Sequence, residues 1–444
     1  MTQLMTNTSQ HHSSQHLKEG SLTTGWPIWA IVSIYYGYQY FLRASPGVMS
    51  QELMLDFGVS AGALGILTSS YYMAYAPLQL PLGVLMDRLG PRVIVSVSAL
   101  LCVLGTVLFS QATTLSLAQI GRILIGAGSA CAFMSCIKVA SLWLPAHRLT
   151  MATGFTMVVG TIGATSASKP LALSIEHFGW RPTLLCLAGL GLVIALCVAL
   201  CVKRPPHGQD ATQKASLEPI SLEPIGGFFT GLKMIASNGQ SWLVGLYTLL
   251  MFSPFVIFGD IWGVPYVMQR YCVNCSTAAF PASLLYLGLA MGAPCFAWLS
   301  DYLKSRKIPM YITIFSVFTL FSIILFGPEL NMSMVMVLVF LTGFSLGGQF
   351  LGFSVICELT PRQYCGTAVG FNNCICMFSG VIFQPCVGVI LDLFWTGSVG
   401  DNGLRSYSLD CFHYGLSIVP LSALAAFFIT LGIQETHPQH RRVN

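Results

Sequence analysis

Long apolar runs separated by short polar breaks make up most of this chain. The runs are about 20 residues long, which is the length of helix that spans the hydrocarbon core of a bilayer. Six of them precede a longer polar break, near residues 27–48, 63–86, 93–112, 116–142, 151–173 and 182–202. Six more follow it, near residues 241–268, 280–300, 308–327, 333–357, 365–392 and 411–433. The pattern predicts an all-α membrane protein with twelve transmembrane helices.

The composition excludes an ordinary soluble protein. Of the 444 residues, 54% are hydrophobic and 8% are charged, and the mean hydropathy is +0.71. A soluble domain carries about 25% charged residues. This chain therefore has too little charge to cover a surface that faces water.

Two polar stretches set the predicted domain boundaries. Residues 1–24 lack the apolar core of a secretory signal peptide, and we expect them to form a disordered cytoplasmic tail. The second stretch repeats Ser-Leu-Glu-Pro-Ile twice and is typical of a Pro-rich linker, with room for a short interfacial helix at 227–239. We therefore predict a tail at 1–24, a six-helix bundle at 25–202, a linker at 203–240, a second six-helix bundle at 241–435 and a tail at 436–444.

Lysine and arginine are distributed unequally between the two sides of the predicted bundle. If both termini are cytoplasmic, fourteen of the 21 cationic residues lie inside and three lie in outside loops. An excess of Lys and Arg in cytoplasmic loops is the usual rule for membrane proteins. We therefore predict a multi-pass protein of the bacterial inner membrane with both termini in the cytoplasm. The net charge of +5 follows from this topology and does not indicate nucleic-acid binding.

A charged turn occurs twice, 214 residues apart. It runs from Gly83 to Arg92 and again from Ala297 to Arg306, with Asp87 matching Asp301. A second match between the halves, Pro145 with Pro361 and Gly154 with Gly370, has an offset of 216. Two matches with nearly equal offsets indicate a duplicated bundle, and such bundles are common among transporters.

These residues resemble the major facilitator superfamily. The signature of its loop between helices two and three, G-x-L-x-D-R-x-G-x-R, fits residues 83–92 at every fixed position, whereas Ala297 and Tyr302 depart from it in the second copy. The resemblance implies two pseudo-symmetric six-helix bundles that rock around a central site, and charged cytoplasmic loops that hold the halves together while the site faces outward. By that resemblance the gating residues are Gly83, Asp87, Arg88, Arg92, Asp301 and Arg306. It also relates Arg122, which begins an R-x-x-x-G-x-G-like stretch, to helix packing and proton coupling.

A charged residue lies within the first apolar run. Arg43 shares a helix face with Tyr36 and Tyr40, and Gln39 lies one turn before it. A charge at the bilayer centre costs about 2.5–3.5 kcal/mol even on lenient scales, so this face is expected to point into the bundle. The stretch resembles that of organic-anion porters in which an Arg of helix one holds the anionic group. The alternative is an arginine that snorkels or pairs with another helix.

A second charge lies in the seventh run. Asp260 is followed by Trp262, and Gly259, Gly263 and Pro265 indicate a helix that can bend. The duplication predicts that Arg43 and Asp260 approach a cavity from opposite sides. Two interpretations remain open: Arg43 takes a carboxylate and Asp260 an ammonium, or the two pair with each other and Asp260 titrates as protons move.

Other polar side chains in apolar runs are further candidates for a substrate site. They are Gln349 and Asn372 in the second half, with Gln384, and Tyr71, Tyr72, Tyr75 and Gln79 in the second run. Each is also explained by a hydrogen bond between helices.

The chain has 15 cysteines, most of them in apolar runs, and no spacing that indicates a metal site, a cofactor or a catalytic nucleophile. One CxxC, Cys272 to Cys275, lies in a predicted outside loop. We expect free thiols there in preference to a disulfide or a zinc site. The sequence thus favours a non-enzymatic protein without cofactors.

We predict a monomeric proton symporter that imports a small polar metabolite, an amino acid or a related organic anion. Its partners are the substrate, protons and lipid. Substrate-binding candidates are Arg43, Tyr36, Gln39, Tyr40, Asp260, Trp262, Asn372 and Gln349, and proton-coupling candidates are Asp260 and Arg122. Helix five lacks the Gly-Pro motif of drug antiporters, and the chain resembles importers near the phagosomal-transporter group. The alternatives are an exporter of a siderophore or drug-like compound and a transport-like ligand sensor.

Overall fold

The computed structural model describes residues 2–145, 148–202, 225–327, 330–400, 403 and 405–437. Side chains are described from residue 25 onward within these ranges, except those at 84, 87, 150, 225 and 226. Helices make up nearly all of the described chain.

The described residues of the first half form eight helices: α1 (Thr2–Val48), α2 (Ser50–Phe57), α3 (Ala61–Ser110), α4 (Leu115–Ser129), α5 (Ala132–Trp143), α6 (Leu149–Ser166), α7 (Lys169–Phe178) and α8 (Trp180–Cys201). The second half begins with α9 (Ile225–Ser237), α10 (Gly239–Pro254), a π-helix (Phe255–Trp262) and α11 (Gly263–Tyr271). It continues with α12 (Cys275–Leu303), α13 (Lys307–Phe326), α14 (Met332–Leu346), a 3₁₀ turn (Gly347–Phe350), α15 (Leu351–Leu359), a 3₁₀ turn (Arg362–Tyr364), α16 (Cys365–Leu393), α17 (Leu409–Leu416) and α18 (Ile418–Gly432).

These helices follow the twelve predicted apolar runs, and the prediction of an all-α membrane protein is confirmed. Within the described ranges, nine helical segments are long and apolar enough to cross a membrane, and a bent pair, Ser50–Phe57 with Ala61–Gly83, makes ten. The two runs that remain fall on α1 and on α6 with α7. Both carry many Tyr, Gln, Thr or Ser side chains, which lower their hydropathy and suit helices that face the inside of a bundle.

One helix covers two predicted runs and the charged turn between them. Helix α3 bends at Gly90, where φ is 79°. That left-handed backbone conformation favours glycine over residues with a Cβ. Gly90 of the charged turn therefore has a conformational role.

The first helix begins near the start of the chain. Helix α1 begins at Thr2 and continues into the first apolar run, and the cytoplasmic tail at 1–24 stays a prediction. The first proline of the chain is Pro27, and a helix already formed extends at low cost through residues without a breaker. In the linker, residues 203–224 lie outside the described part, and α9 occupies the place of the predicted short helix.

Each half packs mainly on itself. Helix α1 packs against α5 and α6 in the first half, and α10 packs against α16 and α18 in the second. The halves meet where α3 runs along α16, where α1 crosses the π-helix, and where α6 and α7 contact α12. The inter-half surface thus brings the buried charges of α1 and the π-helix together.

Candidate functional site

A buried ion pair joins the two halves. The Nε atom of Arg43, on α1, lies 3.4 Å from Oδ1 of Asp260, on the π-helix, and the side chains are 3% and 2% exposed. The structure therefore brings together the two charges that the sequence selects. Of the two interpretations left open, the closed pair is the arrangement observed.

Two tyrosines complete the surroundings of the Asp260 carboxylate. The hydroxyl of Tyr286, on α12, donates to Oδ1 at 2.6 Å, and the hydroxyl of Tyr72, on α3, donates to Oδ2. Together with Arg43, donors from three helices hold one carboxylate. A buried carboxylate requires such donors, because an unpaired one would carry a large desolvation cost.

Tyr286 was missed by sequence reasoning. It is a lone tyrosine between Leu284, Leu285 and Leu287 in an apolar run. A buried tyrosine hydroxyl usually has a hydrogen-bond partner, so this tyrosine in an apolar run was the available signal. Its partner, 26 residues earlier in the chain, is set by packing and has no local signature.

Aromatic rings surround the Arg43 guanidinium. Its Cζ lies 4.6 Å from the ring centroid of Tyr40, 5.0 Å from that of Phe255 and 5.7 Å from that of Phe252. Rings at this distance attract a cation and keep water away from it. The Nη2 atom is buried and has no hydrogen-bond partner among the described residues. The guanidinium thus retains unused donor capacity inside an aromatic cage.

The π-helix explains how Asp260 is presented. Pro254 and Pro265 flank the stretch, and proline has no N–H with which to continue the regular hydrogen bonds of an α-helix. The Gly263 N–H bonds instead to the Phe258 carbonyl, five residues back. π-Helical turns are rare and occur mostly at functional sites.

Gly47 allows α1 to approach this stretch. A Cβ at Gly47 would lie 2.6 Å from the carbonyl oxygen of Asp260 and 3.2 Å from Cα of Ile261. Glycine is therefore required for α1 and the π-helix to lie this close.

The other predicted substrate residues are distributed around the pair. Tyr36 packs on Tyr40, and its hydroxyl contacts Sδ of Met157 at 3.9 Å. Gln39 accepts a hydrogen bond from the Tyr71 hydroxyl at 3.0 Å. These three rings and the amide therefore lie on the α1 side of the cage.

On the second half, Asn372 accepts a hydrogen bond from Thr248 at 3.2 Å, and Gln349 is buried in the 3₁₀ turn after α14. Among the described residues, the Gln39 Nε2, Asn372 Nδ2 and Gln349 Oε1 atoms are buried without a partner. Most buried polar atoms have a hydrogen-bond partner, so these three atoms are available to a ligand or to ordered water.

Arg122, the other proton-coupling candidate, has neutral partners. Its Nη1 donates to the Leu42 carbonyl at 2.9 Å, and its Cζ lies 5.2 Å from the Tyr71 ring centroid. These contacts fix the backbone of α1 just before Arg43. In this conformation Arg122 bonds to the α1 backbone next to Arg43.

Trp262 borders a cavity whose lining does not include Arg43 or Asp260. Its Nε1 donates to the Gln384 carbonyl, and its ring borders a cavity of about 140 Å³ with Met54, Tyr407 and Phe412. This cavity is on the face that the charge bias predicts to be outside, hereafter the outer face. Trp262 therefore contacts the outer-face cavity two residues after Asp260 in the chain.

The halves are bonded to each other at the outer face. Asp392, on α16, accepts from the Gly62 N–H at 2.8 Å and from the Tyr407 hydroxyl at 2.6 Å. The Tyr407 oxygen accepts from the Ala61 N–H at 3.0 Å, and Arg405 lies 3.3 Å from Asp392. The carboxylate of one half thus caps the first turn of α3 in the other, where the helix dipole favours a negative charge. We call Asp392, Tyr407 and the α3 start the outer latch.

The predicted gating residues show a contrast between the two copies of the charged turn. In the second copy, Nη atoms of Arg306 lie 2.9 Å from Asp301 and 2.8 Å from Glu358. In the first, the Arg92 Nε donates to the Ala199 carbonyl at 2.9 Å, Arg88 is exposed and no neighbour lies within 4 Å of a Cβ at Gly83. The Asp87 side chain lies outside the described residues. The described hydrogen bonds of Arg92 and Arg306 stay within their own half.

A C-terminal segment extends the second network. Glu435 accepts hydrogen bonds from the Ser305 hydroxyl and from the Arg306 and Lys307 N–H groups. Burial by itself raises the pKa of Glu435, but these hydrogen bonds outweigh it and lower the pKa to about 2. The carboxylate is therefore ionised at neutral pH at the start of α13.

The cysteines include the predicted outside CxxC and a pair in the second half. Cys272 and Cys275 are not bonded to each other in this structure. The side chains of Cys357 and Cys365 lie against each other, with a Cα–Cα distance of 5.0 Å, and the sequence did not point to this contact. The two residues flank the turn between α15 and α16.

Comparison with known families identifies the fold. A family model described as Major Facilitator Superfamily matches residues 30–385. The chain belongs to the major facilitator superfamily. It is therefore a multi-pass membrane transporter and not an enzyme.

Its relatives within the superfamily are distant. The "Probable hexose phosphate transport protein" of Chlamydia pneumoniae is 24% identical, over 84% of this chain and 87% of the relative. The "D-galactonate transporter" of Escherichia coli O6:H1 is 23% identical, over 79% and 85%. The "Membrane sensor protein UhpC" of Salmonella typhimurium is 24% identical, over 84% and 87%.

Solved structures agree on the fold. The nucleoside transporter NupG superposes with a TM-score of 0.71 at 14% identity, covering 92% of this chain and 100% of that one. A bacterial homologue of the human lysosomal transporter Spinster, inward-facing and occupied, superposes with a TM-score of 0.68 at 17% identity, covering 92% and 95%.

Proposed function

We propose that this superfamily member is a secondary active transporter that imports a small organic anion by alternating access and proton symport. The observation that carries the proposal is the buried Arg43, whose Nη2 lies inside an aromatic cage between the two halves and has no hydrogen-bond partner in the described part of the chain. A planar guanidinium fork suits carboxylate and phosphate groups. Arg43 is the proposed anchor of the anionic group.

The distant relatives support an anionic substrate. Hexose phosphates and D-galactonate, the compounds in two of their names, both carry a negative charge on a hydroxylated carbon chain. The amide nitrogens of Gln39 and Asn372, which have no hydrogen-bond partner among the described residues, offer donors to hydroxyl groups. Organic acids and sugar phosphates are therefore the first substrates to test.

An amino acid is the second candidate, because Asp260 is an acidic group beside Arg43. An ammonium group would have to compete with the Arg43, Tyr72 and Tyr286 donors that already hold this carboxylate. The geometry therefore favours an organic anion over a zwitterion.

Alternating access requires the Arg43–Asp260 pair to open, because its members belong to opposite halves. The outer latch is closed in this structure and the pair is buried, so the proposed cycle has the site closed to the outer face here. Export and ligand sensing use the same geometry. The relative named as a membrane sensor makes sensing a specific alternative.

Solute counterflow in proteoliposomes tests the proposal. The panel contains glucose 6-phosphate, D-galactonate, D-glucarate and amino acids, and the variants are Arg43→Ala and Arg43→Lys. A charge-assisted hydrogen bond is worth about 1.5–3 kcal/mol, so Arg43→Ala should weaken apparent affinity at least roughly tenfold, and Arg43→Lys should weaken it less.

The outcomes separate the alternatives. Substrate accumulation driven by an inward proton gradient supports symport. Substrate accumulation driven by an outward proton gradient supports exchange of substrate for protons, as an exporter would perform. Binding without counterflow indicates a sensor. Transport of an anion that is unchanged in Arg43→Ala would contradict the anchor role.

A further inference from the structure

In the Arg43–Asp260 ion pair, each charged group has the other as its one oppositely charged partner among the described residues. Arg43 has Asp260 as its anionic partner, and the other contacts described for its guanidinium are aromatic rings. Asp260 has Arg43 as its cationic partner, and its other donors are the neutral hydroxyls of Tyr72 and Tyr286. When the pair separates, each group is left buried with an uncompensated charge, unless something takes the place of its partner.

Only certain replacements fit the chemistry. A substrate carboxylate or phosphate can replace Asp260 at Arg43. At Asp260 the replacement for Arg43 is a proton on the carboxylate, which removes the charge. Tyr72 and Tyr286 can remain in place, because a hydroxyl can accept from a protonated carboxyl as well as donate to an ionised one.

Within the part of the chain that the structure describes, the groups around Asp260 do not supply another counter-charge. Helix α1 contributes Arg43 and Tyr40, α3 contributes Tyr72 and α12 contributes Tyr286. Arg122 on α4 is within electrostatic range, but it is anchored to Leu42 on α1. Helix α10 contributes the Phe252 ring and α16 contributes the Cys376 thiol, and both lie near Arg43.

We infer that Asp260 competes with the substrate anion for Arg43, so that one proton binds to Asp260 for each anionic group that Arg43 takes. This inference rests on the proposed function and specifies how its proton coupling arises. When the substrate binds, the Arg43–Asp260 ion pair is replaced by an ion pair between Arg43 and the substrate anion. The summed charge of Arg43, Asp260 and the bound anion stays at zero, because Asp260 is then protonated. Tyr72 and Tyr286 are positioning residues that hold the carboxyl group in both states.

The inference can be tested without a known substrate. Removal of the guanidinium imitates the state in which Arg43 has been taken by an anion. In purified Arg43→Ala and Arg43→Gln at pH 7, the carboxylic acid C=O band in the infrared spectrum should increase relative to wild type. The same variants combined with Asp260→Asn should lack the increase, which assigns it to one carboxyl among the chain's 16 Asp and Glu residues.

Absence of the band in both Arg43 variants, with folding verified by far-UV circular dichroism, would overturn the inference, since Asp260 would then be ionised without its partner. If one variant does not fold, the other still decides. This result is independent of counterflow, so the inference can fail while the proposed transport stands. Failure of counterflow alone would instead count against the proposed function.

A second measurement uses D-galactonate and glucose 6-phosphate as probe anions. For one linked proton, the apparent affinity of the wild type should fall about tenfold per pH unit above the pH at which Asp260 releases its proton. In Asp260→Asn the affinity at alkaline pH should exceed that of the wild type, because the competitor is gone, and proton-driven accumulation should be lost. A pH profile unchanged by Asp260→Asn would overturn the inference.

Discussion

At the scale of single residues, the most constrained group is the Asp260 carboxylate. It is 2% exposed and receives donors from Arg43, Tyr72 and Tyr286. Removing one partner of a buried ion pair generally costs about 3–5 kcal/mol, because the remaining charge is left uncompensated. The tyrosines are expected to share in this stabilisation.

Tyr286→Phe removes one hydrogen bond to Asp260 and keeps the ring. Because a hydrogen bond to a charged group is worth about 1.5–3 kcal/mol, the free energy of unfolding should fall by an amount in that range. Thermal unfolding in detergent measures it. The matched control is Tyr302→Phe, at a tyrosine that is 70% exposed. Equal stability of the two variants would contradict the role of the Tyr286 hydroxyl.

At the scale of elements, the site depends on the close contact between α1 and the π-helix. The contact is possible because residue 47 has no side chain. Two further elements, α3 and α12, contribute one tyrosine each. The site is therefore a property of four helices and not of one motif.

Gly47→Ala places a Cβ 2.6 Å from the Asp260 carbonyl oxygen and should force α1 away from the π-helix. Overpacking of this kind costs about 1–3 kcal/mol. The thermal unfolding temperature should drop, and substrate counterflow should weaken with it. Gly189→Ala, in α8, is the control, because no neighbour lies within 4 Å of the added carbon. A Gly47→Ala protein with the unfolding temperature and counterflow of the wild type would show that the contact between α1 and the π-helix is not tight.

The outer latch is the second element-scale device. Asp392→Ala removes the acceptor for the Gly62 N–H and the Tyr407 hydroxyl. Loss of a helix N-terminal cap costs about 0.5–2 kcal/mol, so conformations open at the outer face should become more populated. In right-side-out vesicles, a membrane-impermeant maleimide should then label Cys376 faster, since its thiol lies near Arg43.

Cys102 serves as the internal control for the latch experiment. Its thiol is buried in the first half, within 3.7 Å of the Tyr35 hydroxyl. Opening of the latch should leave Cys102 protected, whereas general unfolding should expose both thiols. Mass spectrometry of the two peptides separates these cases. Unchanged labelling of Cys376 would show that Asp392 does not hold the outer face closed.

At the scale of the whole molecule, the two halves meet through surfaces that contain glycine, an ion pair and a latch. Such an interface suits halves that separate and meet again, because polar contacts can exchange partners. The direction in which the bundle crosses the membrane is a separate property, set by the distribution of Lys and Arg.

The charge bias predicts the orientation. Fusions of green fluorescent protein after Lys214 and Asn444 should fluoresce, because both sites are expected in the cytoplasm. Fusions of alkaline phosphatase after Asn274 and Gly400 should be active, because these sites are expected outside. Fluorescence and phosphatase assays in intact cells measure this. The reverse pattern would place the outer latch on the cytoplasmic side.

Much of the architecture was predictable because a membrane imposes a strong constraint on sequence. Helices that cross a bilayer require long apolar runs, and the duplication left two matched charged turns. Single charges in such runs are costly, so Arg43 and Asp260 were conspicuous. The helical start of α1 was not predicted, because polar residues without a proline are compatible with either state.

The sequence alone determined the membrane class, the family resemblance, and which two charges are the candidates for the centre of the site. The tertiary structure decided that these charges pair, that Tyr72 and Tyr286 hold Asp260, and that Trp262 faces the outer cavity. It also showed the latch between Asp392 and the start of α3. The physical reason is one of range: hydropathy and the cost of buried charge act locally along the chain, whereas the partners of a buried group are fixed by helices that meet only in the folded bundle.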